Sequence, residues 1–321
     1  GEDSGLPFYY RKLPGNMSDS KTIKQLMAEF NVLGYPKVKV VLDRGFFSKD
    51  NVNEFYKNHQ KFLMGVKLNL KIVSEVFEKV RATIENWSNY HSQFGTYGVC
   101  QTVSWSYEQK RPYKGDTLRE TRRVYVHIFY HPEKAAREKI AWTEYWNSLY
   151  QDLVHDTKKA GREKDYQKFF TVKETPKRGR IITAKDDAME KSMIACGFFA
   201  LLSNDVKDSF EALSLYRSKD LVEKGFGNLK DRLNSRRFQV SSELSLNGKI
   251  FVEFIALIYL SFIKKRMQEA HLYDNWTLQG LLDELSLVER FEAPGHGRII
   301  GEITKKQENL FKLLKIQVPS L

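Results

Sequence analysis

The sequence predicts an α/β chain, and three observations carry the prediction. Lys37 to Leu42 is a short run, alternating and then apolar, with β-branched Val38, Val40 and Val41, and it closes on Asp43-Arg44-Gly45-Phe46. Ser48 follows as a cap for Asn51 and opens a helix through His59, whose Val52, Phe55 and Tyr56 recur at i, i+3 and i+4. Lys61 to Asn69 then reads as a core strand and Lys71 to Tyr90 as a helix, so strand and helix alternate.

Other elements follow from the same periodicities. Upstream, KTIKQLMAEF starts a helix for which Asp19 serves as a cap or first-turn acid. Tyr97 to Tyr107 and Arg122 to Tyr130 alternate in strand fashion, and Pro132 opens a long helix because proline suits a first turn. Trp142 and Trp146, four apart on that helix, are expected to pack together or against a neighbour. Lys168 to Glu174, Gly179 to Ala184 and Gly197 to Asn204 are short strands. Gly248 to Leu272 is a core helix, and its apolar run Ile250 to Ile263 falls short of the roughly 20 residues that cross a bilayer. Leu278 to Phe291 is an amphipathic helix, Arg298 to Ile303 a strand and Thr304 to Leu314 a helix. Gly295-His296-Gly297-Arg298 is a turn, because no helix start follows it as a phosphate-binding loop would require.

Two segments carry chemistry. Asp43 sits at the C-terminal end of its strand, the edge where open sheets covered by helices place their sites, and Gly45 permits a sharp exit there. Far downstream, Tyr216, Lys219, Glu223 and Lys230 are spaced 3, 4 and 7 apart. On a helix they fall within roughly 60° of one another, an acid flanked by two cations and a phenol. Val222, Phe226, Leu229 and Leu233 supply the adjoining apolar side. The same pattern also suits a solvated face with a Lys219 to Glu223 ion pair, and an acid at a strand end also suits a plain turn.

Taken together, the segments resemble the DDE transposases of bacterial insertion sequences, in particular the group whose signature is Tyr, two residues, Arg, three residues, Glu, six residues, Lys. Tyr216, Glu223 and Lys230 match in register, and Lys219 stands where that group usually has Arg. Asp43 to Phe46 resembles the strand end bearing the middle acid, and Leu6 to Thr22 (LPFYYRKLPGNMSDSKT) resembles the strand, turn and helix start before it. The resemblance implies a ribonuclease H-like core whose first strands, with the first catalytic Asp, precede Gly1. Asp3 lies in turn composition and does not replace that acid. The expected organisation is the first part of the core over 1–69, a mixed β and α insertion over 70–206, the second part with the Glu helix over 207–272, and a helical segment over 273–321.

The implied activity is DNA strand cleavage and transfer assisted by Mg²⁺ or Mn²⁺, with the isolated chain expected to be inactive because its active site lacks the first catalytic Asp. Asp43 and Glu223 would be the catalytic, metal-holding carboxylates, and Tyr216, Lys219, Lys230 and Arg44 the phosphate contacts. Trp105, in the polar alternation VSWSY, is the candidate for stacking on an extruded base, against the plainer reading that it packs a sheet. The implied partners are transposon ends and target DNA, with a homodimer on paired ends, in a bacterial or archaeal cytoplasm. The alternative is a non-catalytic remnant that only binds DNA or an intact transposase.

Composition agrees. The net charge of +12 and pI near 9.4 call for an anionic partner. Cys100 and Cys196 are too few and too separated for a disulfide framework or a zinc site, and His127 and His131 straddle a strand end, where their four-residue gap does not give a helical metal pair.

Overall fold

The computed structural model describes residues 6–12, 22–34, 38–111, 115–175, 179–219, 240–291 and 299–319. The chain forms two compact units, Gly15–Arg217 and a second that joins Gly1–Pro14 to Ser218–Leu321.

The larger unit is built on a six-stranded mixed sheet in the order β1-β2-β8-β5-β4-β3. Its strands are β1 (Lys39–Leu42), β2 (Lys61–Val66), β3 (Tyr90–His91), β4 (Thr96–Arg111), β5 (Asp116–Tyr130) and β8 (Phe198–Ser203). The parallel pair β1 and β2 is linked by helix α2 (Lys49–Lys57), and Ser48 caps α2 by accepting from the Asn51 N–H, as the sequence led us to expect. The other pairings are antiparallel, with β8 lying between β2 and β5. This is an α/β, ribonuclease H-like fold, and β3, β4, β5 and β8 of its sheet come from the 70–206 stretch that the sequence led us to expect as an insertion.

Alternation along the strands sends side chains to two covered faces. Phe62, Met64 and Val66 of β2 join Val124, Val126 and Ile128 of β5 beneath α1 (Ile23–Val32), α2 and α3 (Lys71–Val80). On the opposite face Leu63, Leu201 and Phe129 pack with Ala212 and Leu213 of α7 (Ser209–Ser218). Helix α3 is shorter than the predicted span to Tyr90. Its last buried apolar residue is Val80, after which the chain continues in turns and a 3₁₀ turn at Trp87–Asn89.

The insertion holds a satellite core. Helix α4 (Pro132–Val154) starts at Pro132 as predicted, and its Trp142 and Trp146 stack at 5.6 Å. They pack with Tyr166 and Phe169 of α5 (Glu163–Phe169) and Phe170 of the hairpin β6 (Phe170–Thr175) and β7 (Gly179–Ala184), which α6 (Asp186–Met193) follows.

In the second unit, helix α8 (Glu243–Glu269) stands where the core helix Gly248 to Leu272 was expected, but it is mostly not buried. Only Glu253, Leu257 and Met267 are buried along it, whereas Phe251, Val252 and Tyr259 are more than half exposed. At about 1.5 Å per residue the helix outruns the cluster it packs on, which α9 (Leu278–Ser286) and α10 (Lys305–Leu313) form around its C-terminal third. Its full length, unlike the shorter stretch read from sequence, is sufficient by length and composition to cross a membrane. The expected strand Arg298 to Ile303 is reduced to Ile299–Ile300, β10, paired with β9 (Arg290–Phe291). The glycine-containing turn before it, Gly295 to Arg298, lies outside the described residues.

Two predictions test this architecture. Gly197, at the entry to β8, has φ +79°, and a Cβ there would come within 2.5 Å of the Ala135 Cβ and 2.8 Å of the His131 carbonyl. Gly197→Ala should therefore lower unfolding free energy by about 2–4 kcal/mol, read as a lower urea midpoint at unchanged slope. His127 is fully buried on β5, its Nε2–H donating to the Val206 carbonyl at 3.1 Å. Burial lowers its pKa from 6.5 to about 4, outweighing the Val206 bond and nearby Asp208, which raise it. The unfolded chain thus binds a proton that the native chain refuses between pH 6.5 and 4, so stability falls by about 3 kcal/mol as pH drops through that window. His127→Phe should remove this slope in urea titrations at stepped pH.

Candidate active site

Asp43 leaves β1 as the N-cap of a 3₁₀ turn, Arg44–Phe46, and its Oδ1 accepts the Arg44 N–H at 2.8 Å. The sharp exit does not draw on left-handed freedom at Gly45, since the residue lies inside a right-handed 3₁₀ turn. The same Oδ1 accepts a hydrogen bond from the Tyr216 hydroxyl at 3.1 Å. Tyr216 stands in the last turn of α7, its ring packed on the Leu63 and Leu213 cluster. Residues 173 positions apart are thus brought to one sheet edge. The phenol expected to meet DNA phosphate thus also touches the carboxylate.

A sequence feature that the motif reading passed over completes this arrangement. Gly65 interrupts the otherwise apolar strand KFLMGV, and a Cβ built there would lie 2.6 Å from the Tyr216 hydroxyl oxygen and 3.3 Å from the Arg44 nitrogen. A glycine inside a buried strand signals close approach by another group, and here that group is the phenol.

The rest of the predicted constellation is partly described. Arg44 is exposed beside Asp43, and Lys219 is half-buried just beyond α7. Glu223 and Lys230 lie outside the described residues, as do Asp3 and Asp19. Among the described residues no three His, Cys, Asp or Glu side chains gather at metal-ligand spacing. Asp43 is the described carboxylate of the predicted pair, an exposed hard oxygen donor that suits Mg²⁺ or Mn²⁺.

Trp105 is corrected by its surroundings. It is 7% exposed, and its indole N–H donates to Asn53 Oδ1 at 2.9 Å. It belongs to the inner face of the β4–β5 ribbon, which α2 covers, so its ring is not presented to a base. Tyr107 is 2% exposed on that face, edge-on to Tyr56.

The outer face of the ribbon has a different character. Beyond Tyr125, where pairing with β8 ends, β4 and β5 continue as a two-stranded arm to Arg111 and Asp116. Ser104, Ser106, Glu108 and Lys110 are exposed opposite Arg123, Thr121, Arg119 and Thr117. Glu108 is approached by Lys49 at 3.2 Å and Arg119 at 3.8 Å, and the Arg123 guanidinium lies 5.3 Å over Tyr125. Leu42, Met64, Leu202 and Val126 stand in one row across the sheet, so the arm leaves from the end opposite Asp43.

A comparison with curated proteins returned no match. Residues 2–259 match the family model described as the transposase DDE domain, a span that includes β1, β2, the insertion, α7 and Glu223.

Proposed function

The chain belongs to the transposase DDE domain family, and we propose that it cleaves and transfers DNA strands through a site holding Asp43 and Glu223. Such family members act in DNA transposition, with nuclease and strand-transfer chemistry that typically uses a divalent metal. The observation that carries the proposal is Asp43, a carboxylate at the C-terminal end of a parallel strand, oriented by two hydrogen bonds.

Phosphodiester cleavage builds negative charge on the attacking and leaving oxygens, and Mg²⁺ or Mn²⁺, when bound, would supply charge stabilisation and a more acidic attacking water. Asp43 would supply a hard oxygen ligand for that ion, and Glu223 would be the second. Arg44, Lys219 and Lys230 provide cations for phosphates beside the scissile bond. Lys219 offers a point charge where Arg would offer a two-pronged fork, so its grip is less directional.

The ribbon arm supports binding of the duplex away from the cut. Arg119 and Arg123 project among Ser104, Ser106, Thr117 and Thr121, with Glu108 opposite Arg119, on a two-stranded surface of the kind that strand-based readers lay along DNA. From Val126 to Arg119 the strand advances on the order of 23 Å, about the length of seven base pairs. Joining two transposon ends requires two copies of the chain, so the assembly this reading calls for is a homodimer on paired ends.

In an assay of nicking on end-containing DNA, Asp43→Asn and Glu223→Gln should each abolish Mg²⁺-dependent cleavage while leaving DNA affinity within about two-fold. Retained cleavage would remove the substituted residue from the site. Salt-sensitive binding with no cleavage by the unaltered chain would make it a DNA-binding member without catalysis. Arg119→Ala and Arg123→Ala should weaken binding across sequences and reduce the salt slope by roughly 1 each. An unchanged slope would take the arm off the DNA.

A further inference from the structure

We infer that Tyr216 is a positioning residue for Asp43 rather than a DNA contact, and that Gly65 is the space that lets it act. The inference rests on the reading of Asp43 as a metal-holding carboxylate. It assigns work to a phenol and to a glycine that this reading leaves unexplained.

Three elements meet at the contact. β1 ends in Asp43, β2 passes beside it carrying Gly65, and the last turn of α7 lowers the Tyr216 ring against the sheet. The Tyr216 O–H and the Arg44 N–H both donate to Oδ1, at 3.1 and 2.8 Å. One donor leaves a carboxylate able to rotate about its terminal torsion. A second from a different direction fixes the plane of the group before any cation arrives.

The glycine is not needed by its own backbone. Gly65 is absent from the positive-φ residues and pairs regularly with Leu201 in the antiparallel ladder, a setting that favours a β-branched side chain. On the face that residue 65 shares, Leu63 and the cross-strand Leu201 are buried, and a larger residue beside them would add apolar burial. What forbids one is the phenol oxygen, which would stand 2.6 Å from the new Cβ, with the ring Cζ at 3.3 Å. A methyl group at 65 would push the hydroxyl away from Oδ1 or move the carboxylate with it.

A phosphate-holding tyrosine and a carboxylate-positioning one give opposite results. Mn²⁺ affinity, titrated with MnCl₂ alone by electron paramagnetic resonance, should fall about 10-fold in Tyr216→Phe, within the range expected when the partner of a metal ligand is removed. Affinity for end-containing DNA in the presence of chelator should stay within two-fold. Gly65→Ala should weaken Mn²⁺ binding similarly, and Gly65→Ala with Tyr216→Phe should be no weaker than Tyr216→Phe, because the clashing oxygen is gone. Tyr216→Phe keeps the test open if Gly65→Ala does not fold. Asp43→Asn separates the two levels of the argument. If it leaves Mn²⁺ binding unchanged, or if the unaltered chain binds no Mn²⁺, the metal reading fails and takes this inference with it. If Asp43→Asn weakens Mn²⁺ binding but Tyr216→Phe does not, or if Tyr216→Phe costs DNA affinity instead, the positioning role alone is overturned.

Discussion

The candidate site depends on β8 being paired on both sides. Its backbone bonds to β2 through Leu63 to Val66 and to β5 through Tyr125 to Tyr130, so one six-residue strand joins the β1–β2 pair to the long hairpin. Polar side chains lock its end. The Ser203 hydroxyl donates to the Phe62 carbonyl and accepts the N–H groups of Asp205 and Val206, while Asn204 bonds the Phe62 N–H and the Gln60 carbonyl. Asp205 then pairs with Lys39 and Lys61 at the first residues of β1 and β2. Because α7 begins a few residues later, this turn also sets where Tyr216 stands.

Elements with strong local signals were legible. The Ser48 cap, the Pro132 helix start and the apolar strand ending at Asp43 each rest on interactions within a few residues, and the structure reproduces them. Trp105 was not legible, because alternation identifies two faces of a strand without saying which one a distant helix covers. In VSWSY the tryptophan points toward α2, and only the fold supplies Asn53 as its partner. The length of α8 was underestimated for a related reason. The expected start at Gly248 lies inside it, because the polar turn before that residue continues the helix from the Ser242 cap.

At the site, the sequence pattern and the structure contribute different things. The spacing from Tyr216 to Lys230 identified the family that the match over residues 2–259 supports. The resemblance to that family implies a phosphate role for the phenol and says nothing of a contact with Asp43. The contact with Asp43 depends on how α7 lies across β2, and no spacing within the motif encodes that. Gly65 was readable in principle, since a glycine among buried apolar residues costs strand stability without a local reason.

The position of β8 also sets a timetable for synthesis. The run Val124 to Phe129 in β5 is buried throughout, yet one of its edges is completed only by a strand made after the whole of α4 to α6. At 5–20 residues per second, a ribosome needs on the order of 3–13 s to cover that interval. For those seconds an apolar strand presents an open backbone edge, the kind of surface that pairs with the wrong chain. Yield of folded protein should therefore depend on elongation speed between Pro132 and Gly197 and on chaperones that shield strand edges, more than on the stability of the finished sheet.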